Sequence, residues 1–327
     1  MSPTPGAPVT RRVLLLGAAG LAGTAVLAAC GSKGSTRAST GTNVGLTPMD
    51  NASSLIPLFA ADAAYKYVVS GTPQRLAFGV NDTDDAPLLA VPASLDFQLS
   101  RDGVAIGGPT AVLGHSDGVP IGFYPYQATF DSPGSYQVQV TLDGTPRTVA
   151  FDVVAAADSP LVQPGAAMVP VETPTVADHH GVEPICTRPS GTCPFHTMTL
   201  TQALASGRPT LLLVSTPKFC QIGVCGPVLE LVTEVAPKYP GVQVIHAEVY
   251  TNAEAVLAKT NSTATGSGQP AAPAQAVDSA TLAPVVDAYG LSYEPALFVA
   301  DASGHVVERL DNIFDRAEIA AAFARVS

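Results

Sequence analysis

Two cysteines five positions apart, Cys220 and Cys225 in Phe219-Cys-Gln-Ile-Gly-Val-Cys225, are the residues whose type and spacing point most directly to chemistry. Two thiols within bonding reach can take up or release two electrons by breaking or making a disulfide. In a regular helix these two would stand ~7.5 Å apart along the axis and on different faces. A disulfide needs Cα atoms within about 7 Å. Gly223 and a helix start at Pro227, a residue favoured at the first helical position, offer a solution. The segment between the cysteines would then be a loop that folds back just before the helix.

Cys186 and Cys193 enclose a turn-rich loop, Thr-Arg-Pro-Ser-Gly-Thr. One reading makes them a structural disulfide; another lets their loop fold over Cys220 and Cys225 and exchange disulfides with them. The histidines permit a metal reading. Cys193-Pro-Phe-His196 has ligand-like spacing and His246 sits mid-strand in Val-Ile-His-Ala-Glu; soft thiolates with imidazole suit copper. The plainer alternative for His246 is a strand histidine with a satisfied hydrogen bond. His179 and His180 read as solvated linker residues, His115 and His305 as turn residues. Glu294, just before Pro295, either relays protons to a nearby thiol pair or faces solvent. No serine hydrolase or phosphate-loop motif is present, and no cofactor is expected beyond the copper alternative.

The elements that must position these residues follow from periodicity. From about Ser54 to Val154, short strands alternate apolar and polar positions, as in Leu76, Phe78 and Val80, in Leu95, Phe97 and Leu99, and in Tyr136, Val138, Val140 and Leu142. Turns fall at Arg101-Asp-Gly, Ser132-Pro-Gly and Leu142-Asp-Gly. This spacing predicts an all-β sandwich, immunoglobulin-like in broad architecture. Pro160 to His196 is Pro-rich and reads as an extended connection. The rhythm then changes. Thr199 can cap a short helix through Ala205, and Thr210 to Val214 is the continuous apolar run of a central strand. Helices are predicted over Pro227 to Ala236, Leu282 to Tyr289 and Arg316 to Val326. Strands are predicted over Val242 to Tyr250, Ala296 to Ala300 and Val306 to Leu310. Thr260 to Ser279 is low in complexity and reads as an inserted surface loop.

That order of elements, with Tyr289-Gly-Leu-Ser-Tyr-Glu-Pro-Ala-Leu-Phe-Val299 and the turn Asp301-Ala-Ser-Gly304, resembles the thioredoxin fold over roughly Thr199 to Val326. The resemblance implies a redox pair at Cys220 and Cys225, with Pro295 as the cis-proline that lies against it and offers backbone to an extended substrate. The strand-to-cysteine spacing then favours Cys220 as nucleophile. A second registration aligns Cys225-Gly-Pro-Val228 with Cys-Gly-Pro-Cys; Cys225 would then start the helix, where the dipole lowers a thiol pKa, and Cys220 would resolve. Four residues separate the cysteines where thioredoxins have two. Copper-delivery proteins of cytochrome oxidase assembly share the fold and use two nearby cysteines with a distant histidine, which here would be Cys220, Cys225 and His246. The peroxiredoxin pattern is absent.

The amino terminus, with Arg11-Arg12, an apolar run from Val13 and Leu27-Ala-Ala-Cys30, describes a secretory signal. Its end resembles the lipobox of bacterial lipoproteins, which implies lipidation of Cys30 after removal of residues 1–29. Arg11 and Arg12 also resemble the twin-arginine export signal. Residues 30–53 read as a flexible tether, 54–157 as the sandwich, 158–198 as a linker containing Cys186 and Cys193, and 199–327 as the thioredoxin-like domain. With Cys30 lipidated, four cysteines remain and allow three pairings. Few lysines with high Ala, Gly, Pro, Val and Thr resemble a high-GC actinobacterial proteome.

The net charge is −11, and removing residues 1–29 takes away two arginines and no acid, giving −13. So acidic a chain is repelled by phosphate backbones, and no nucleic-acid partner is expected. The expectation is a protein anchored in the lipid bilayer through Cys30 at the outer face of the cytoplasmic membrane, exchanging disulfides with exported protein thiols or a membrane redox partner. The alternatives are copper delivery, or a non-catalytic scaffold with structural disulfides.

Overall fold

The computed structural model describes residues 52–220, 223–256 and 281–327. Arg11, Arg12, Cys30 and the stretch Thr260 to Ser279 lie outside the described residues. Among the described residues, no helix is long and apolar enough to cross a membrane.

The chain is mostly β, with several sheets and few helices. β1 (Ala52–Pro57), β3 (Pro73–Asp82) and β7 (Tyr124–Thr129) make an antiparallel sheet with β3 in the middle. β1 begins inside the stretch read as tether. A second sheet runs β2 (Val68–Val69), β9 (Thr145–Val154), β8 (Gly134–Leu142), β4 (Ser94–Arg101), β5 (Val104–Ala105), with β6 (Thr110–Leu113) also paired to β4. The two sheets meet through aromatic rings. Phe78 of β3 lies 5.5 Å from Phe97 of β4, and Tyr126 of β7 stacks on Phe97 at 5.4 Å. Such rings carry large apolar area, and offset or tilted pairs add about 0.5–1.5 kcal/mol each.

The remaining sheet has the order β11-β10-β12-β13, made by β10 (Thr210–Val214), β11 (Gln243–Ala247), β12 (Ala296–Ala300) and β13 (Val306–Asp311). β10 and β11 are parallel, while β12 is antiparallel to both β10 and β13. The two apolar runs, β10 and β12, are the central strands and are buried at every position. Both faces of a central strand must be covered, and alternation divides the work. Leu211, Leu213, Leu297 and Val299 pack with α2 (Cys225–Val235) and α4 (Arg316–Ala324). Leu212, Val214 and Phe298 share a cluster with α1 (Leu200–Ala205) and α3 (Pro284–Tyr289), and that cluster continues into the core between the first two sheets. Thr199 starts α1 with the expected cap: its hydroxyl accepts from the Gln202 N–H while the Gln202 side chain returns to the Thr199 N–H. A cap of this kind contributes about 1 kcal/mol.

The Pro-rich connection lies along the molecule with Leu161, Met168, Val171, Val182 and Ile185 buried. At one side of the four-stranded sheet, Gly165 donates to Val306 O at 2.7 Å and Val306 to Ala166 O at 2.9 Å. At the other, the His246 N–H of β11 donates to Phe195 O at 3.3 Å. Both edges of the sheet thus gain backbone partners from one segment, which removes a template for unwanted strand pairing. That segment also brings Cys186, Cys193 and His196 to β11.

Candidate functional site

Cys220 and Cys225 are disulfide-bonded, with Cα atoms 5.9 Å apart. The backbone turns back at Gly223, whose φ of +70° favours glycine over any residue with a Cβ. Helix α2 begins at Cys225, so Pro227 is its third residue rather than its first. Proline is tolerated there because the first four helical N–H groups have no intrahelical acceptor. The Cys225 N–H instead points at Cys220 Sγ, 3.4 Å away. Exposure divides the two sulfurs' residues: Cys225 is fully buried, whereas Cys220 is only partly buried. Cys220 packs against a buried cluster of Ala77, Phe123, Val224 and Ile313, to which the first half of the chain contributes Ala77 and Phe123.

Glu294 stands beside this pair, with a carboxylate oxygen within 4.8 Å of both sulfurs. It accepts from the Thr216 N–H at 2.5 Å. Burial pushes its carboxyl up to about 7, against that hydrogen bond. Of the two readings of Glu294, the geometry supports the one near the thiols. Pro295 follows in a cis peptide and leads into β12, its carbonyl accepting from the Asn312 N–H at 2.8 Å.

Cys186 and Cys193 carry free thiols in this structure and are both buried. Their sulfurs join the rings of His196 and His246 in a second group, in which one ligand atom from each residue lies within 4.8 Å of all the others. His196 Nε2 is 3.2 Å from His246 Nδ1, and Cys193 Sγ is 3.6 Å from His246 Nδ1. The Cys193 N–H reaches Cys186 Sγ at 3.5 Å. Hydrogen bonding from Cys193 holds the Cys186 thiol well below its ordinary range, against its own burial. Burial pushes His246 down, against hydrogen bonding from Cys186.

His246 therefore meets Cys186, Cys193 and His196, not the Cys220 and Cys225 group with which the copper reading combined it. A hydrogen bond joins the two cysteine loops, since Thr187, next to Cys186, accepts from the Lys218 N–H at 3.2 Å. Thr187 also donates to the buried Glu248 carboxylate, at 2.6 Å from its N–H and 3.0 Å from its hydroxyl. Burial, opposed by those bonds, raises Glu248 to about 8. Arg188 grips Glu230 of α2 through two bonds at 2.7 and 2.6 Å, which fixes the Cys186 loop to the helix that begins at Cys225. The sequence signal for the second group was the Cys193-x-x-His196 spacing. His246, fifty residues on, joins it only through the path of the connecting segment.

Among known proteins, no family model and no curated protein matches this chain. Solved structures that align with parts of it include MTB dsbF in its mixed oxidized and reduced forms, at 18% identity over 40% of this chain and 87% of that one, with a TM-score of 0.27. Another is a titin–obscurin-like 1 Ig mutant complex, at 18% identity over 27% and 80%, with a TM-score of 0.17. At these scores neither alignment bears on the fold or the activity. The class defined by the coordinates is a mostly β, multi-sheet protein with a bonded cysteine pair at the start of a helix.

Proposed function

We propose that this chain is a thiol–disulfide exchange protein, with an immunoglobulin-like sandwich and a thioredoxin-like domain, tethered outside the cytoplasm through a lipid on Cys30. The observation that carries the reading is the Cys220–Cys225 disulfide with one sulfur's residue partly exposed and the other buried at the start of α2. The sheet order β11-β10-β12-β13, with helices on both faces and Glu294-Pro295 beside the pair, supports it.

In the oxidising direction, a client thiolate attacks Cys220 Sγ and the Cys220–Cys225 bond breaks. Cys225 leaves as a thiolate at the helix amino terminus, where unpaired N–H groups and the dipole stabilise negative charge. Glu294, with a carboxyl near neutrality, supplies a proton to it. A second client thiolate then attacks the client sulfur of the mixed disulfide and Cys220 departs. Two electrons pass from the client dithiol to the pair, and every step is reversible.

The test is equilibration of the full chain with glutathione buffers of graded potential, thiol trapping and peptide mass mapping. Exchange requires the Cys220–Cys225 bond to equilibrate between about −120 and −270 mV. A bond that resists reduction below about −300 mV is structural, and the proposal fails.

A further inference from the structure

We propose that Cys186, Cys193, His196 and His246 bind one zinc ion, which clasps the connecting segment to the edge strand β11. The site goes beyond the exchange chemistry and shares no ligand with it.

The first argument is the placement of ring protons. His196 Nδ1 lies 3.0 Å from Pro174 O, and a carbonyl only accepts, so that nitrogen carries the proton. His246 Nε2 lies 3.1 Å from both Ser215 O and Ser215 Oγ; the carbonyl only accepts and the hydroxyl can accept as well, which assigns the proton of this ring to Nε2. The other nitrogens, His196 Nε2 and His246 Nδ1, then face each other at 3.2 Å as two lone pairs with no proton between them. Two acceptors so close inside a dry core repel, and a cation between them reverses the sign. Carbonyls behind ligating histidines are also what orients imidazoles toward a metal.

The second argument is distance. Tetrahedral zinc, with bonds of about 2.05 Å to nitrogen and 2.3 Å to sulfur, separates its ligand atoms by about 3.3 Å for two nitrogens and about 3.6 Å for nitrogen and sulfur. The observed 3.2 Å for His196 and His246 and 3.6 Å for Cys193 and His246 agree with those spacings. The Cys193 N–H toward Cys186 Sγ stabilises negative charge on that sulfur.

The third is charge. All four residues are buried, His246 completely. Binding Zn²⁺ takes both sulfurs as thiolates, displaces any remaining thiol proton to solvent and changes no oxidation state. Two thiolates, two neutral imidazoles and a dication sum to zero, so no net charge is left in the core. Four protein ligands close the shell, which marks a structural rather than a catalytic ion. Calcium and magnesium prefer oxygen, and this donor set has none.

The experiment uses the full chain purified in detergent. Elemental analysis should find roughly one zinc per chain, retained in a Cys220→Ser/Cys225→Ser variant and lost in Cys193→Ser. Because Cys193→Ser could misfold, the unaltered chain carries a second readout. After chelator stripping under reductant, zinc should slow alkylation of Cys186 and Cys193 at least about tenfold, and cobalt(II) should give tetrahedral bands with sulfur-to-metal charge transfer. A Cys186–Cys193 disulfide in the chain as isolated, copper as the sole metal bound, or failure of zinc to protect the thiols would each overturn the proposal. None of these outcomes alters the glutathione titration of Cys220 and Cys225, so the two proposals fail separately.

Discussion

Arg75 of β3 and Glu318 of α4 form a two-pronged ion pair, Nε to Oε1 at 2.6 Å and Nη2 to Oε2 at 2.7 Å, with both side chains nearly buried. Arg75 also donates to Ile313 O at 2.6 Å and Asp311 O at 3.2 Å. The pair joins the two-sheet half to the four-stranded half. Tyr67 reinforces the junction by donating to Asp311, itself paired with Arg309. Replacing Arg75 by methionine takes the donor from the Glu318 carboxylate and from Ile313 O, while Asp311 O keeps the Ile313 N–H at 2.7 Å. The expected loss is about 3–5 kcal/mol of unfolding free energy, measured by urea denaturation. A loss under about 1 kcal/mol would mean that the halves do not depend on this contact.

The unequal burial of Cys220 and Cys225 predicts unequal chemistry. In the reduced chain, iodoacetamide should label Cys220 at least about tenfold faster than Cys225. In Cys225→Ser the Cys220 thiolate should attack disulfide-bonded clients, release one client thiolate and accumulate the mixed disulfide, while Cys220→Ser should not. Equal labelling rates would count against Cys220 as the attacked sulfur.

Glu294 imposes a pH dependence whose sign follows from its burial. Its carboxyl is raised from the ordinary 4.5 to about 7. Between those values the folded chain holds a proton that the unfolded chain has released. Stability from this group is therefore present below the lower value and lost as pH rises through the upper one. Glu294→Gln should be about 2–3 kcal/mol more stable than the parent at pH 8 and nearly equal at pH 4, by urea unfolding at each pH. A difference independent of pH would show that Glu294 titrates normally.

Gly290 ends α3 with φ of +65°, and a Cβ there would meet Pro160 O at 2.3 Å. The connecting segment runs directly against that turn, Val162 N donating to Tyr289 O at 3.2 Å. Gly290→Ala adds a left-handed penalty to a clash with rigid backbone. It should cost at least about 2 kcal/mol and lower the melting temperature. A neutral substitution would mean that the Pro160 backbone yields freely.

Much of the element order is legible without coordinates, because each element's cause is local. The apolar runs at Thr210–Val214 and Ala296–Ala300, the Thr199 cap and the Asp-Gly turns act within a few residues of themselves. The Cys220 to Cys225 loop is legible in the same way, since Gly223 supplies the needed backbone conformation. Boundaries shift where packing competes, as at Cys225, which starts α2 two residues before Pro227.

The thiol pair, its turn and the alternation of strands and helices are properties of the sequence alone, written in spacing and in residue type. Tertiary structure decided the neighbours. β3 alternates in sequence yet is buried on both faces, because Arg75 and Ala77 face the second half of the chain. Glu294 could equally lie near the thiols or face solvent until folding set its carboxylate within 4.8 Å of both sulfurs. Cys186, Cys193, His196 and His246 span sixty residues and converge because the connecting segment follows the edge of β11. Local rules act over a few residues, whereas burial and charge act between whichever groups the fold brings within a few ångströms.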